Sequence, residues 1–262
     1  MLKKRLIFTL LYDGSGFVLS RNFRLQRVGD LSWLQKNYNF DNTARSIDEL
    51  IVLNVARETS DQNSFSEALK SLSKGCFVPI AAGGGIRTIG DAGLLLKSGA
   101  DKVVINTLLS TNLNIVQDIA NKYGKQCIVG SIDMKRGLDG QFAQYVDCGT
   151  TRLLEHPRLI LERMKDEVVG EIYLNSMDRD GTGQGFDFDM LELLPKDFPK
   201  PVILAGGVGN SSHLDFGLRD NRVDAVATAH LFNFIGSGLE SARNNLRSVG
   251  HSFPTWNYVD IA

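Results

Sequence analysis

The sequence predicts a (β/α)8 TIM barrel with an internal half-barrel duplication, taking up residues 1–262 as a single domain. Three observations predict it. About eight short apolar runs alternate with helix-like segments along the chain. A strand–glycine–helix unit at Pro79–Leu108 returns at Pro201–Phe232. The two copies are offset by nearly half the chain: Gly83-Gly84 and Gly206-Gly207 lie 123 residues apart, and so do Asp101 and Asp224. A doubly wound open sheet has the same alternation, but the half-length repeat favours closure.

The elements follow in order. Arg5–Leu11 is a near-continuous apolar run, as a parallel strand covered on both faces requires. Tyr12–Asp30 reads as a long glycine-bearing loop, of functional length for a compact domain. Asp30 caps a helix over Leu31–Tyr38. Glu49–Val55 is the second strand, and a helix follows near Ser64–Ser73. Phe77–Ala82, a triglycine turn, a helix over Thr88–Ser98, the strand Lys102–Asn106 and a helix over Asn112–Tyr123 complete the first half. The second half runs Gln126–Asp133 (strand), Met134–Gly149 (loop with a hairpin at Leu138-Asp139-Gly140) and Leu153–Asp166 (helix). It continues with Glu171–Ser176 (strand), Met177–Phe186 (turn-rich loop), and Phe188–Leu194 (helix). Val202–Ala205, a helix near Ser211–Leu218, Ala225–Ala229 and a helix near Ser237–Val249 finish the pattern.

Composition narrows the function. The 262 residues are 43% hydrophobic, ample for a core, and the formal net charge of -1 gives no nucleic-acid signature. Cys76, Cys127 and Cys148 have no metal-ligand spacing and no signal peptide precedes them, so free thiols in a cytoplasmic protein are expected. No apolar run is long enough for a membrane span, and no metal or cofactor is implied.

In such barrels the chemistry sits at the C-terminal ends of the strands. Each glycine turn offers bare backbone N–H groups before a helix, where an anion can sit. Gly84 and Gly85 are the candidates in one half, and Gly206 and Gly207 in the other. Asn106, Thr107, Thr228 and His230 end the neighbouring strands and can add donors, although His230 reads equally well as a neutral structural histidine. Two anion sites suit a substrate with a phosphate at each end. Asp133 ends the fifth strand and is a candidate general acid or base; its alternative is an ion pair with Lys135 or Arg136. Asp180, in a glycine-rich loop, is a second candidate, or a turn-capping residue. The repeat places Leu11 where the other half has Asp133, so one half carries an acid and the other an apolar group. At the opposite rim, Arg5, Glu49, Lys102 and Glu171 each begin a strand, and two acids with two bases there predict a ring of salt bridges.

The segments AGGGIR, GADKVVINT, SIDMKR, LNSMDRDGTGQG and LAGGVG resemble the cyclase subunit of imidazole glycerol phosphate synthase over nearly the whole chain. A related isomerase shares the doubled phosphate barrel, but DKVVINT and MDRDGTG fit the cyclase better. The resemblance implies two phosphate sites and a glutaminase subunit docked at the lower rim as a heterodimer. It further implies ammonia passing a four-residue gate, matched by Arg5, Glu49, Lys102 and Glu171, toward two catalytic aspartates above. One aspartate matches Asp133. The other falls at Leu11, in TLLYDGSGF, where the family reads CLDVKDGRVVKG; the usual acid after the second strand is Asn54, and a basic residue of the first loop is Leu19. Conduit kept and cyclase chemistry damaged is similar to paralogues that accompany surface-polysaccharide genes and are thought to feed ammonia to a sugar amidotransferase. The substrate expected is a phosphorylated or nucleotide-linked small molecule. The competing expectations are a working cyclase in which Asp13 or another group replaces the lost acid, and a barrel that only activates the glutaminase.

Overall fold

A parallel strand walled in on both faces needs apolar side chains on both. The computed structural model describes residues 3–38, 45–57, 62–166, 168–230 and 235–254, and in it eight such runs form a closed parallel barrel. The barrel strands, first to eighth, are Arg5–Tyr12, Glu49–Asn54, Ile80–Gly83, Lys102–Ile105, Ile128–Arg136, Glu171–Ser176, Val202–Ala205 and Ala225–Thr228. Closure runs through the eighth strand against the first, with Arg5 opposite Ala225, and through the fifth against the sixth, with Asn175 opposite Asp133.

Side chains alternate across a strand, so each strand sends every second residue to the barrel axis. On the first strand Leu6, Phe8 and Leu10 pack outward with the helices, while Ile7 joins the axial cluster of Ile51, Ala81, Val104, Val129, Tyr173, Ile203, Ala225 and Ala227. The same parity carries Arg5 to one end of the axis and Leu11 to the other.

The repeated Asp101 and Asp224 have a structural task. Asp101 Oδ2 accepts the Ile80 N–H at 2.8 Å, and Asp224 Oδ2 accepts the Val202 N–H at 3.0 Å. Asp48 Oδ2 does the same for Leu6 at 2.8 Å. Each carboxylate ties the start of one strand to the chain that enters its neighbour. Asp48 also forms a bidentate pair with Arg243, at 2.7 and 2.8 Å, with both side chains buried.

Several elements differ from the sequence expectation. The stretch Tyr12–Asp30 is not an open loop: Phe17–Arg21 and Arg24–Gly29 pair as a hairpin, the first strand of which also pairs with Leu11 and Tyr12. The fifth strand runs three residues past Asp133 because Met134–Arg136 pair with Phe142–Gln144 in the expected hairpin. Phe188–Leu193 is a 3-10 helix, and a short helix, Thr107–Thr111, precedes Leu113–Tyr123. Asp30 caps its helix as expected, accepting the Trp33 N–H at 2.9 Å. The end of the second repeat, Leu231 and Phe232, and residues 255–262 of the expected single domain lie outside the described residues.

Candidate functional site

The C-terminal ends of the barrel strands enclose a cavity of about 1080 Å³. Asp133, Asp180, Gly84, Gly85, Asn106, Thr107, Gly206, Gly207, Thr228 and His230 all line it.

Asp133 sits at the cavity's polar side. Asn106 Nδ2 donates to its Oδ2 at 3.0 Å, and Asn175 Nδ2 to its Oδ1 at 2.8 Å. Neither Lys135 nor Arg136 pairs with it; Arg136 instead bridges Asp187 and Asp189. Burial pushes the Asp133 carboxyl up to about 6, the Asn175 bond opposes this, and the charge of Asp180 adds to it. A carboxyl poised there exchanges protons near neutral pH, as acid–base chemistry requires.

Asp180 is held by the hairpin. Ser20 Oγ and the Phe23 N–H both donate to its Oδ2, the latter at 3.0 Å, and Asn22 Nδ2 donates to the Asp178 carbonyl at 2.8 Å. Asn22 and Phe23 form the tip in left-handed conformation, with φ of 50 and 62°. The hairpin therefore folds over the mouth and engages the Asp178–Gly185 loop. Burial raises the Asp180 pKa, while the Ser20 and Phe23 bonds pull it down. His230 is half-buried, and burial lowers its pKa, favouring neutral imidazole.

The glycine turns depart from the expected placement. The long helices after them begin at Ile89 and Ser211, and their first turns are already capped. Thr88 and Asp91 form a capping box, and Asn210 accepts the His213 N–H. The N–H groups left open are those of the turns themselves: among the described residues those of Gly85 and Gly207 donate to no backbone carbonyl. The glycines are also demanded by the backbone. Gly84 has φ 96°, and a Cβ there would collide with the Asn54 carbonyl. Gly207 has φ 102°, and a Cβ would collide with the Gly185 carbonyl.

Opposite Asp133 the wall is apolar: Leu11, Leu53 and Leu19 line the cavity, with Leu11 beside Leu53 in register. Asp13 does not replace the missing acid. Its Oδ1 accepts the Ser15 and Gly16 N–H groups and the Ser15 hydroxyl, each at 2.9 Å, and it is not part of the cavity wall. Asn54 lines the cavity; its Oδ1 accepts the Ala56 N–H, while its buried Nδ2 has no partner among the described residues.

At the lower rim the four charged side chains close a ring. Arg5 bridges Glu49 at 2.7 Å and Glu171 at 2.6 Å, and Lys102 bridges Glu49 at 3.0 Å and Glu171 at 2.5 Å. Charge alternates around the axis, and both carboxylates are buried. Burial and then Glu171 raise the Glu49 pKa, with the two cations opposing; in Glu171 the cations outweigh burial and the pKa falls.

Sequence reasoning missed Asn175, the hairpin residues Ser20 and Phe23, and the hydroxyls of Thr9 and Tyr173. Asn175 was within reach, since it lies two residues from Tyr173 and four from Glu171 and shares their inward parity. Ser20 was not, because its partner lies 160 residues away.

The family described as "Histidine biosynthesis protein" matches residues 26–236. A protein of Parasynechococcus marenigrum named "Putative imidazole glycerol phosphate synthase subunit hisF2" is 47% identical over 243 residues, covering 93% of this chain and 90% of the relative. A Pseudomonas aeruginosa protein of the same name is 33% identical over 262 residues, covering 100% of both. With its closed barrel and its match over most of its length, the chain belongs to the histidine biosynthesis protein family.

Proposed function

We propose that this chain is the barrel subunit of a glutamine amidotransferase complex. It receives ammonia from a glutaminase subunit docked at its lower rim and delivers it to the upper cavity. The single observation that carries this reading is the arrangement along one axis. A closed ring of Arg5, Glu49, Lys102 and Glu171 stands below, an apolar interior follows, and a cavity holding Asp133 opens above. A paired ring shuts out bulk water yet opens when one ion pair shifts, and an apolar bore favours neutral ammonia over ammonium.

Asp133 and Asp180 are the acid–base candidates in the cavity, and the two glycine turns with Asn106, Thr107, Thr228 and His230 are its phosphate-binding candidates. The occupant is a phosphorylated or nucleotide-linked small molecule. Leu11 replaces the acid that the other half carries, so the chain's own cyclase chemistry is weak. The ammonia then serves a separate sugar amidotransferase that makes amidino sugars for surface polysaccharide, in the cytoplasm. A second reading, a working cyclase of histidine biosynthesis, draws support from Asp133 and Asp180 lining the same cavity.

The test has two arms. Co-purification with a glutaminase encoded nearby, followed by glutaminase assay with and without this chain, tests the complex. Cyclase assay with ammonium salt tests the second reading. No complex and unchanged hydrolysis would sink the conduit; turnover of ~1–10 s⁻¹ with ammonium would establish the cyclase instead.

A further inference from the structure

The barrel interior between the charged ring and Asp133 is apolar except at one level. There Thr9, on the first strand, and Tyr173, on the sixth, both point inward and form the floor of the upper cavity with Ser131. The first and sixth strands are not neighbours: the seventh and eighth stand between them. The phenol therefore reaches across the lumen toward Thr9. Burial pushes the Tyr173 pKa up, and the nearby Thr9 hydroxyl pulls it the other way. Yet Thr9 Oγ1 meets no partner in hydrogen-bond geometry among the described residues, and the residue is only 1% exposed. A buried hydroxyl left unbonded is costly, so such groups are normally satisfied by water or ligand.

We propose that Thr9 Oγ1 and the Tyr173 hydroxyl form a binding point for one small neutral amine, ammonia in function, on the barrel axis directly beneath Asp133. This rests on the ammonia-delivery reading and adds a named halt on its path. The chemistry fits both ends. The phenol, kept protonated by burial, donates to the nitrogen lone pair. An amine N–H donates to Thr9 Oγ1. Ammonium has no lone pair to accept the phenol proton and could only donate to the two oxygens, and its charge is disfavoured in the apolar bore, so the site favours the neutral species. The next inward residue after Tyr173 is Asn175, which donates to Asp133, so an amine released upward meets the acid first. Rotation of one phenol ring would open or shut the floor.

The probe is methylamine, soaked into crystals of the full chain at alkaline pH, where a useful fraction is unprotonated. The expected result is two-atom density within hydrogen-bond distance of Thr9 Oγ1 and the Tyr173 hydroxyl. Thr9→Val, nearly isosteric, should abolish that density, and Thr9→Ser should keep it. Tyr173→Phe should abolish it as well. An empty site, or a single round peak indifferent to methylamine, would mean a structural water and would overturn the proposal. Density that persists in Thr9→Val would overturn it too. The soak needs no glutaminase, so its failure is separable from failure of the complex to form.

Discussion

Replacing Lys102 with methionine keeps the stem and removes the ammonium. Two ion pairs vanish at once, at 3.0 and 2.5 Å, and Arg5 alone remains to hold two buried carboxylates. Breaking a buried pair by removing one partner costs about 3–5 kcal/mol, because the charge left behind stays out of water. That is a large part of the roughly 5–15 kcal/mol by which a domain is stable, so the variant should fold but be clearly weakened. The loss should depend on pH, and its sign follows from Glu49. The Glu49 pKa is already raised, by burial first and by Glu171 next, and Lys102 is among the groups holding it down. Without Lys102 the folded value climbs further above the unfolded value of about 4.3. A carboxyl raised in the folded state contributes stability below the unfolded pKa and loses it as pH climbs through the folded one. The deficit against wild type should therefore be small near pH 4.5 and reach about 3–5 kcal/mol near pH 8. Urea unfolding of both proteins at the two pH values measures it. A deficit under about 1 kcal/mol at pH 8, or one equal at both, would show that the ring is solvated and not a buried unit.

Asp133 should titrate with a midpoint near 6 by carboxyl NMR. Because that value is raised by burial, Asp133→Asn should gain stability relative to wild type as pH rises from 4 to 7, by roughly 3 kcal/mol at the top. A midpoint near 4 would contradict the buried setting. Leu11→Asp should raise ammonium-dependent cyclase activity above wild type and push the Asp133 midpoint higher, since a second carboxylate joins the same cavity; a lower midpoint by NMR would refute the placement. Arg243→Met should cost about 3–5 kcal/mol by urea unfolding, because it strands Asp48 in the core. Gly84→Ala should destabilise far more than Gly140→Ala. Both glycines have positive φ, costing about 1–2 kcal/mol for alanine, but only at Gly84 does the Cβ also strike backbone. Equal thermal midpoints for the two variants would refute the collision.

The sequence by itself determined the barrel. Eight buried runs, each with period-2 parity, decide which residues face the axis whatever their neighbours are, so Arg5, Glu49, Lys102 and Glu171 were legible as one layer and Leu11 and Asp133 as another. The half-length repeat exposed the missing acid at Leu11 because an offset compares residues without coordinates. The recurrence of Asp101 and Asp224 marked the repeat but not its task, which is a backbone tie at the strand starts. Tertiary structure alone decided the rest, for one physical reason: contacts across the mouth join residues far apart in the chain, and local pattern holds no record of them. The hairpin read as an open loop because its closing partners, Asp178 and Asp180, lie more than 150 residues on. The helices expected to hold anions cap themselves, which only the Thr88–Asp91 and Asn210–His213 geometry reveals. Asp13 is close to Leu11 in sequence and shares its parity, but it lies past the end of the first strand, and the Ser15–Gly16 turn consumes its carboxylate.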